Sequence, residues 1–462
     1  MIWTAAKSQR AAADRANLSH IILLVLILVT GLNAPAQTTR IDSRLEQAAV
    51  LIRDGQLKEA EDQLTSLLKS APREPRTLNL LGTIRAQQGK LNEAEALFTR
   101  ALRIDSRLVA AHMNLAYVSL LRGAPEKTIA ELKAVISLEP ENAEATYKLA
   151  SLLLSQNYFD ECVRFIEPIK GSASAALLVV LGDAYLNKHD ADRAEASYQL
   201  ALAKENDDAD AVLGLAEVYQ VRKDLKTAAL YLARAEKSVA DSPATLYRFA
   251  LIAMRSGDYE KANAALTQAV KLNPNEPSYF LALGTTWLQK PDLFEAEKAF
   301  RRTLELQPDN SPAQLSLGYT LMMQKKYPEA RQWLEKSLQK NQSVPETFYY
   351  LGQIAQEQNE EQRAIGFFTK AIDLAPTYSY AHAALGASYL RLKNYPLAQR
   401  ELELSVKLDP NNGKAHYDLA VLFARLKNNE RAQEEMQIVE KLKRSSRAES
   451  KEPGASAFPR AP

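Results

Sequence analysis

Apolar residues along most of this chain recur at three- and four-residue spacing, as a helix with one buried face requires. No stretch alternates apolar and polar residues for long enough to suggest a strand. The helical pattern itself repeats. LGTIRAQQGKLNEAEALFTRAL from Leu81 and LGQIAQEQNEEQRAIGFFTKAI from Leu351 share one layout. Extending their register places repeats at residues 41, 75, 109, 143, 175, 209, 243, 277, 311, 345, 379 and 413. Every step is 34 residues except the 32 from 143 to 175. A fixed period of this length predicts an array of stacked supersecondary units.

Four columns of the register carry the packing. The eighth position holds only Gly or Ala, from Ala48 and Gly82 through Gly386 and Ala420. The twentieth is Ala in ten repeats, with Thr128 and Cys162 as small exceptions. Two antiparallel helices whose axes approach within roughly 8–10 Å need small residues where they cross. Large residues stand beside them: Tyr185, Tyr219, Trp287 and Tyr389 at the eleventh position, and Phe98, Tyr198, Phe300 and Phe368 at the twenty-fourth. Pro72, Pro140, Pro274, Pro308, Pro376 and Pro410 all fall at the thirty-second, where a proline stops the second helix. Pro328 and Pro396 instead open a second helix, where the missing N–H costs little.

The pattern resembles the tetratricopeptide repeat: Leu-Gly/Ala, a large residue three later, Ala, an aromatic or Leu, and a late Pro. The resemblance covers residues 41 to about 446. It implies an all-α fold, a right-handed α-solenoid of about twelve helix-turn-helix repeats, with the first helices lining a concave groove that holds a peptide or partner segment.

Repeat four is two residues short and carries Pro168 within its expected second helix, followed by Gly171-Ser172. An early helix end in a degenerate repeat is the simpler reading, and a joint between repeats 1–4 (37–174) and repeats 5–12 (175–446) the alternative. The second helix of the last repeat is polar enough to cap the array. A Ser/Pro/Ala-rich tail starting at Ser445, with residues 447–462 as its end, reads as disordered.

The amino terminus departs from the repeat. Lys7, Arg10 and Arg15 precede the apolar run Ile21–Val29, which leads into Ala34-Pro35-Ala36. That order reads as a secretory signal, residues 1–36, cleaved after Ala36. The expected location is periplasmic or secreted. The apolar stretch is shorter than the roughly 20 residues of a comfortable span, so an inner-membrane anchor with the repeats outside the cytoplasm is the second reading, and the only membrane contact expected.

Charge bears on the partner. The chain is formally +2, and without residues 1–36 it carries 55 basic and 55 acidic residues. A balanced surface lacks the single-sign field that phosphate binding requires, so nucleic acid is not an expected partner. The single cysteine, Cys162, falls on a packing column and reads as core. There is no HExxH, phosphate loop, GxSxG or paired-Cys motif. A non-enzyme without cofactor is therefore expected. His112, His382 and His416 share the fourth repeat position and read as packing residues rather than metal ligands.

The resemblance further implies that groove residues come from the second, fifth, ninth, twelfth and thirteenth positions. On these stand Met113, Tyr147, Tyr247, Tyr349 and Tyr417 (fifth), Tyr117 and Tyr319 (ninth), and Met254 and Met322 (twelfth). Members that clamp a terminal carboxylate use Lys at the fifth and Asn at the ninth position, and neither occurs here. A Tyr- and Met-lined surface suits partly apolar recognition of a protein or peptide segment; equally, several of these tyrosines could pack between repeats. The expected function is an exported scaffold in a bacterial envelope complex. The alternative is a glycan- or polymer-binding subunit of an envelope biosynthesis or secretion machine.

Overall fold

In the computed structural model the described residues are 36–239, 242–341 and 343–449, and they form 24 α-helices with no strand among them. The expected signal lies outside the described residues apart from Ala36. In chain order the helices are α1 (Ala36–Arg53), α2 (Leu57–Ser70), α3 (Pro75–Gln87), α4 (Leu91–Ile104), α5 (Val109–Leu121), α6 (Pro125–Leu138), α7 (Ala143–Ser155), α8 (Phe159–Ile166), α9 (Ala175–Asn187), α10 (Ala191–Lys204), α11 (Ala209–Val221) and α12 (Leu225–Ala235). The second half contains α13 (Pro243–Arg255), α14 (Tyr259–Leu272), α15 (Pro277–Gln289), α16 (Leu293–Leu306), α17 (Ser311–Met323), α18 (Tyr327–Lys340), α19 (Pro345–Glu357), α20 (Glu361–Leu374), α21 (Ser379–Arg391), α22 (Tyr395–Leu408), α23 (Gly413–Arg425) and α24 (Asn429–Glu449). Contacts divide the chain into two compact units, Met1–Ser238 and Val239–Pro462. Each unit holds six helix pairs.

Local chemistry sets the helix ends. From α3 onward every first helix begins on the first residue of its repeat. Asp190, Asp208, Asp224, Asp258 and Asp292 cap helices by accepting a hydrogen bond from a backbone N–H of the first turn, each worth about 1 kcal/mol. The turn between paired helices reverses through the fifteenth repeat position. In eleven of the twelve repeats that residue has φ between +59° and +80°. Gly fills it in four repeats, and Asn157, His189, Lys223 and Lys325 are among those that accept the left-handed conformation without glycine's freedom.

Within each unit the two helices of a repeat pack together, and each second helix packs on the first helix of the next repeat. The small columns make this possible. Residues at the twentieth position are fully or almost fully buried in every repeat except the last, where Ala432 is half-covered because no further repeat follows it. Most residues of α24 face water, as a terminal cap requires. This helix runs on to Glu449, past Ser445 where the tail was expected to start.

In repeat four, α8 stops at Ile166 and a 3-10 turn, Glu167–Ile169, carries Pro168. Proline cannot donate the next helical hydrogen bond, so the helix ends early. One apolar cluster nevertheless runs from Met113 to Val218, across this irregularity. The Tyr185 hydroxyl donates to Glu167 Oε2 at 2.7 Å and ties the turn to α9.

Candidate partner-binding face

First helices of neighbouring repeats touch one another: α1 with α3, α3 with α5, α7 with α9 and α9 with α11 in the first unit, and each of α13, α15, α17, α19 and α21 with the next first helix in the second. Second helices of neighbouring repeats make no comparable contact among the described residues. The first-helix side of each unit is thus its closer-packed, inner side, and residues projecting from it form one continuous face.

The residues expected there divide into three groups. Tyr147 and Tyr417 are 41% and 49% exposed, large for tyrosine rings on packed helices. Tyr117, Tyr247, Met254, Tyr319 and Tyr349 are half-buried. Met113 and Met322 are a correction: both are buried, in core clusters, and offer no free surface. A flexible thioether at such a position turns into the gap between repeats rather than outward.

Burial holds the half-covered phenols above their ordinary ionisation range. Tyr349 is pushed up to about 12, chiefly by desolvation; desolvation likewise raises Tyr117 and Tyr319. The Tyr247 ring lies 5.1 Å from that of Tyr279, and burial, reinforced by the Glu276 charge, keeps it protonated.

Around Tyr349 the second unit gathers rings from three repeats. Tyr349 lies 5.6 Å from Tyr350 and 5.3 Å from Tyr378, and Tyr350 lies 4.9 Å from Tyr319. Tyr380 meets Tyr378 edge-on at 6.4 Å, and Tyr349 also leans on the core ring of Phe368 at 6.0 Å. The Tyr349 hydroxyl accepts a 2.9 Å hydrogen bond from Gln353. Tyr350, Tyr378 and Tyr380, with Glu346 beside them, were missed by the single-column reading. Two of them stand at the sixth and zeroth register positions, off the columns expected to face a partner. Their signal in the sequence was the close spacing Tyr349-Tyr350 and Tyr378-x-Tyr380.

The three repeat histidines are pinned alike. His112, His382 and His416 place Nδ1 at 2.6, 2.7 and 2.5 Å from Glu131, Glu401 and Glu435 of their own second helices. Their Nε2 atoms lie 3.0–3.1 Å from the backbone oxygens of Ser106, Pro376 and Pro410 in the preceding turn. Each therefore ties two helices and a turn together. Cys162 is fully buried, its Sγ 3.6 Å from the Ala150 carbonyl oxygen, and burial pushes the thiol up to about 12. Such a thiol stays protonated and unreactive. Among the described residues no group of three or more His, Cys, Asp or Glu could hold a metal ion. No described helix is long and apolar enough to cross a membrane.

Comparison with known proteins adds the following. A tetratricopeptide repeat family model matches residues 45–108, 179–243, 247–311, 295–345 and 383–443, more than half of the chain. A stretch of 125 residues is 29% identical to the DnaJ homolog subfamily C member 3 of Mus musculus, covering 24% of this chain and only 25% of that relative. Among solved structures, the crystal structure of MamA is similar over 36% of this chain and 97% of its own, with 22% identity and a TM-score of 0.32. The structure of Naa15/Naa10 bound to HypK-THB is similar over 86% of this chain and 68% of its own, with 18% identity and a TM-score of 0.36.

Proposed function

Because the chain belongs to the tetratricopeptide repeat family, we propose that it is an exported interaction scaffold, in a bacterial envelope complex, whose first-helix face binds segments of partner proteins. The observation that carries this reading is the pair Tyr147 and Tyr417, one in each unit, both at the fifth repeat position and both about half exposed. An exposed tyrosine offers a large contact surface at small entropic cost, with a hydroxyl that can bond a partner backbone. Export is supported by the basic, apolar and small-residue order of residues 7–36.

Two measurements test the proposal. The processed chain is offered a degenerate decapeptide library and an oligosaccharide array. Retention of peptides, weakened by Tyr147→Ala and Tyr417→Ala, is the expected result. Retention of oligosaccharides alone would replace it with the glycan- or polymer-binding reading. Amino-terminal sequencing of the protein from its native cells should begin at Gln37, whereas an intact Met1 in the membrane fraction would establish the anchored form.

A further inference from the structure

We propose that the tyrosine cluster around Glu346 is a receptor for one cationic side chain, lysine or arginine, presented by an extended partner segment. The proposal rests on the reading of the first-helix face as partner-binding, and names the chemistry that one part of it selects.

Glu346 stands in the first turn of α19, at the second repeat position, and is half-buried. Its Oε2 is shielded from water, and among the described residues it makes no hydrogen bond and no cation pairs with it. Several other part-buried glutamates are matched by a cation: Glu195 with Arg222, Glu297 with Arg301 and Lys326, Glu401 with His382. A carboxylate oxygen withdrawn from water without a donor is unfavourable. The positive end of α19 offsets part of this, and a partner donor would offset the rest.

The surroundings specify which donor. Glu346 is close enough to Tyr350 and Tyr378 for its charge to oppose their ionisation. These rings, with Tyr319, Tyr349 and Tyr380, stand 4.9–6.4 Å apart in a chain of neighbours. Among the described residues the hydroxyls of Tyr319, Tyr350, Tyr378 and Tyr380 make no hydrogen bond, and no cation lies over any of the five rings. Elsewhere the protein supplies such cations itself: Arg222 over Tyr219, Lys290 over Trp287, Arg431 over Phe423. Electron-rich ring faces beside an unmatched carboxylate attract an ammonium or guanidinium group and repel an anion. The cluster lies on the continuous first-helix face, so a cation carried on an extended chain can reach it while the chain runs along neighbouring repeats.

The test uses decapeptide pools in which one position is fixed as Arg, Lys, Glu or Leu and the other nine are degenerate, with retention measured on the processed chain and on Glu346→Gln. The Arg and Lys pools should be retained about tenfold better than the Glu pool by the wild type. Glu346→Gln should erase most of that preference without lowering the melting temperature. Tyr350→Phe, which keeps the ring, should preserve the preference, and Tyr350→Leu should lose it. Pools that bind without preferring a basic residue, or a preference that survives Glu346→Gln, would overturn the receptor and leave the scaffold reading standing. If no pool binds at all, both fail together.

Discussion

The Phe300 ring of α16 occupies the space beside Gly284 of α15, so that a Cβ on the glycine would stand 2.5 Å from Phe300 Cε1. The same relation links Gly82 to Phe98, Gly182 to Tyr198 and Gly352 to Phe368. Every ring at the twenty-fourth repeat position thus faces a glycine at the eighth. Where the eighth residue is Ala, as in Ala116, Ala216 and Ala250, the twenty-fourth is aliphatic: Leu132, Leu232 and Leu266. The two helices trade volume across their crossing.

Gly284→Ala should therefore cost about 1–3 kcal/mol, as overpacking of a tight core does. Gly284→Ala combined with Phe300→Leu, which recreates the Ala–Leu pairing of other repeats, should recover much of that loss. Urea unfolding of the three proteins checks this. A double variant no more stable than Gly284→Ala would refute the volume trade.

A second prediction isolates the turn. Gly89 has φ +73° and open space around a built Cβ, so Gly89→Ala meets no neighbour and reports the backbone alone. It should destabilise by about 1–2 kcal/mol, the penalty of a left-handed L-residue. Lys223→Gly, at the equivalent φ of +62°, should be neutral or stabilising, since relief of strain competes with glycine's greater unfolded-state entropy. Thermal melts that rank the two substitutions in the opposite order would contradict this account.

The pH dependence centres on His382. Nδ1 lies 2.7 Å from Glu401 Oε2 and Nε2 3.1 Å from the Pro376 oxygen; two acceptors can both be served only by the imidazolium, which donates from both nitrogens. Burial disfavours that charge, and Arg400 opposes it too, but the hydrogen bonds to Glu401 and Pro376 prevail and raise the pKa above the ordinary histidine value. A raised folded-state pKa contributes stability that is complete below the unfolded value of about 6.5 and is lost as pH climbs through the folded one. The urea midpoint should fall as pH rises above the unfolded value of about 6.5, and His382→Gln should flatten that slope. An unchanged slope in the variant would remove His382 from the explanation.

Tyr349 and Tyr417 share the fifth repeat position and should respond differently to truncation. Tyr349 packs on Phe368, Tyr350 and Tyr378, so Tyr349→Ala should lower stability by about 2–4 kcal/mol through the cavity it leaves. Tyr417 is half exposed; Tyr417→Ala should leave melting nearly unchanged and weaken peptide retention by about 1–2 kcal/mol if the ring anchors a partner. Equal melting temperatures for the two variants would show that exposure does not separate their roles.

The sequence by itself determined the repeat length, the all-helical class and the start of nearly every first helix. Those features follow from local rules repeated along the chain: a periodic apolar face and a small residue at each crossing, with a proline past the second helix in six of the twelve repeats. It also identified the small columns of Gly284 and Ala296, because close helix approach tolerates little else. Tertiary structure alone decided which residues on one column are free. Met113, Tyr147, Tyr349 and Tyr417 are equivalent in the register, yet one is core, two are open and one is wedged among rings. Their exposure depends on the volume of neighbours on other helices, as Phe368 and Tyr378 are for Tyr349, which a column does not record. The same holds for Glu346, whose lack of a partner and whose ring of tyrosines from three successive repeats arise only when those repeats stack.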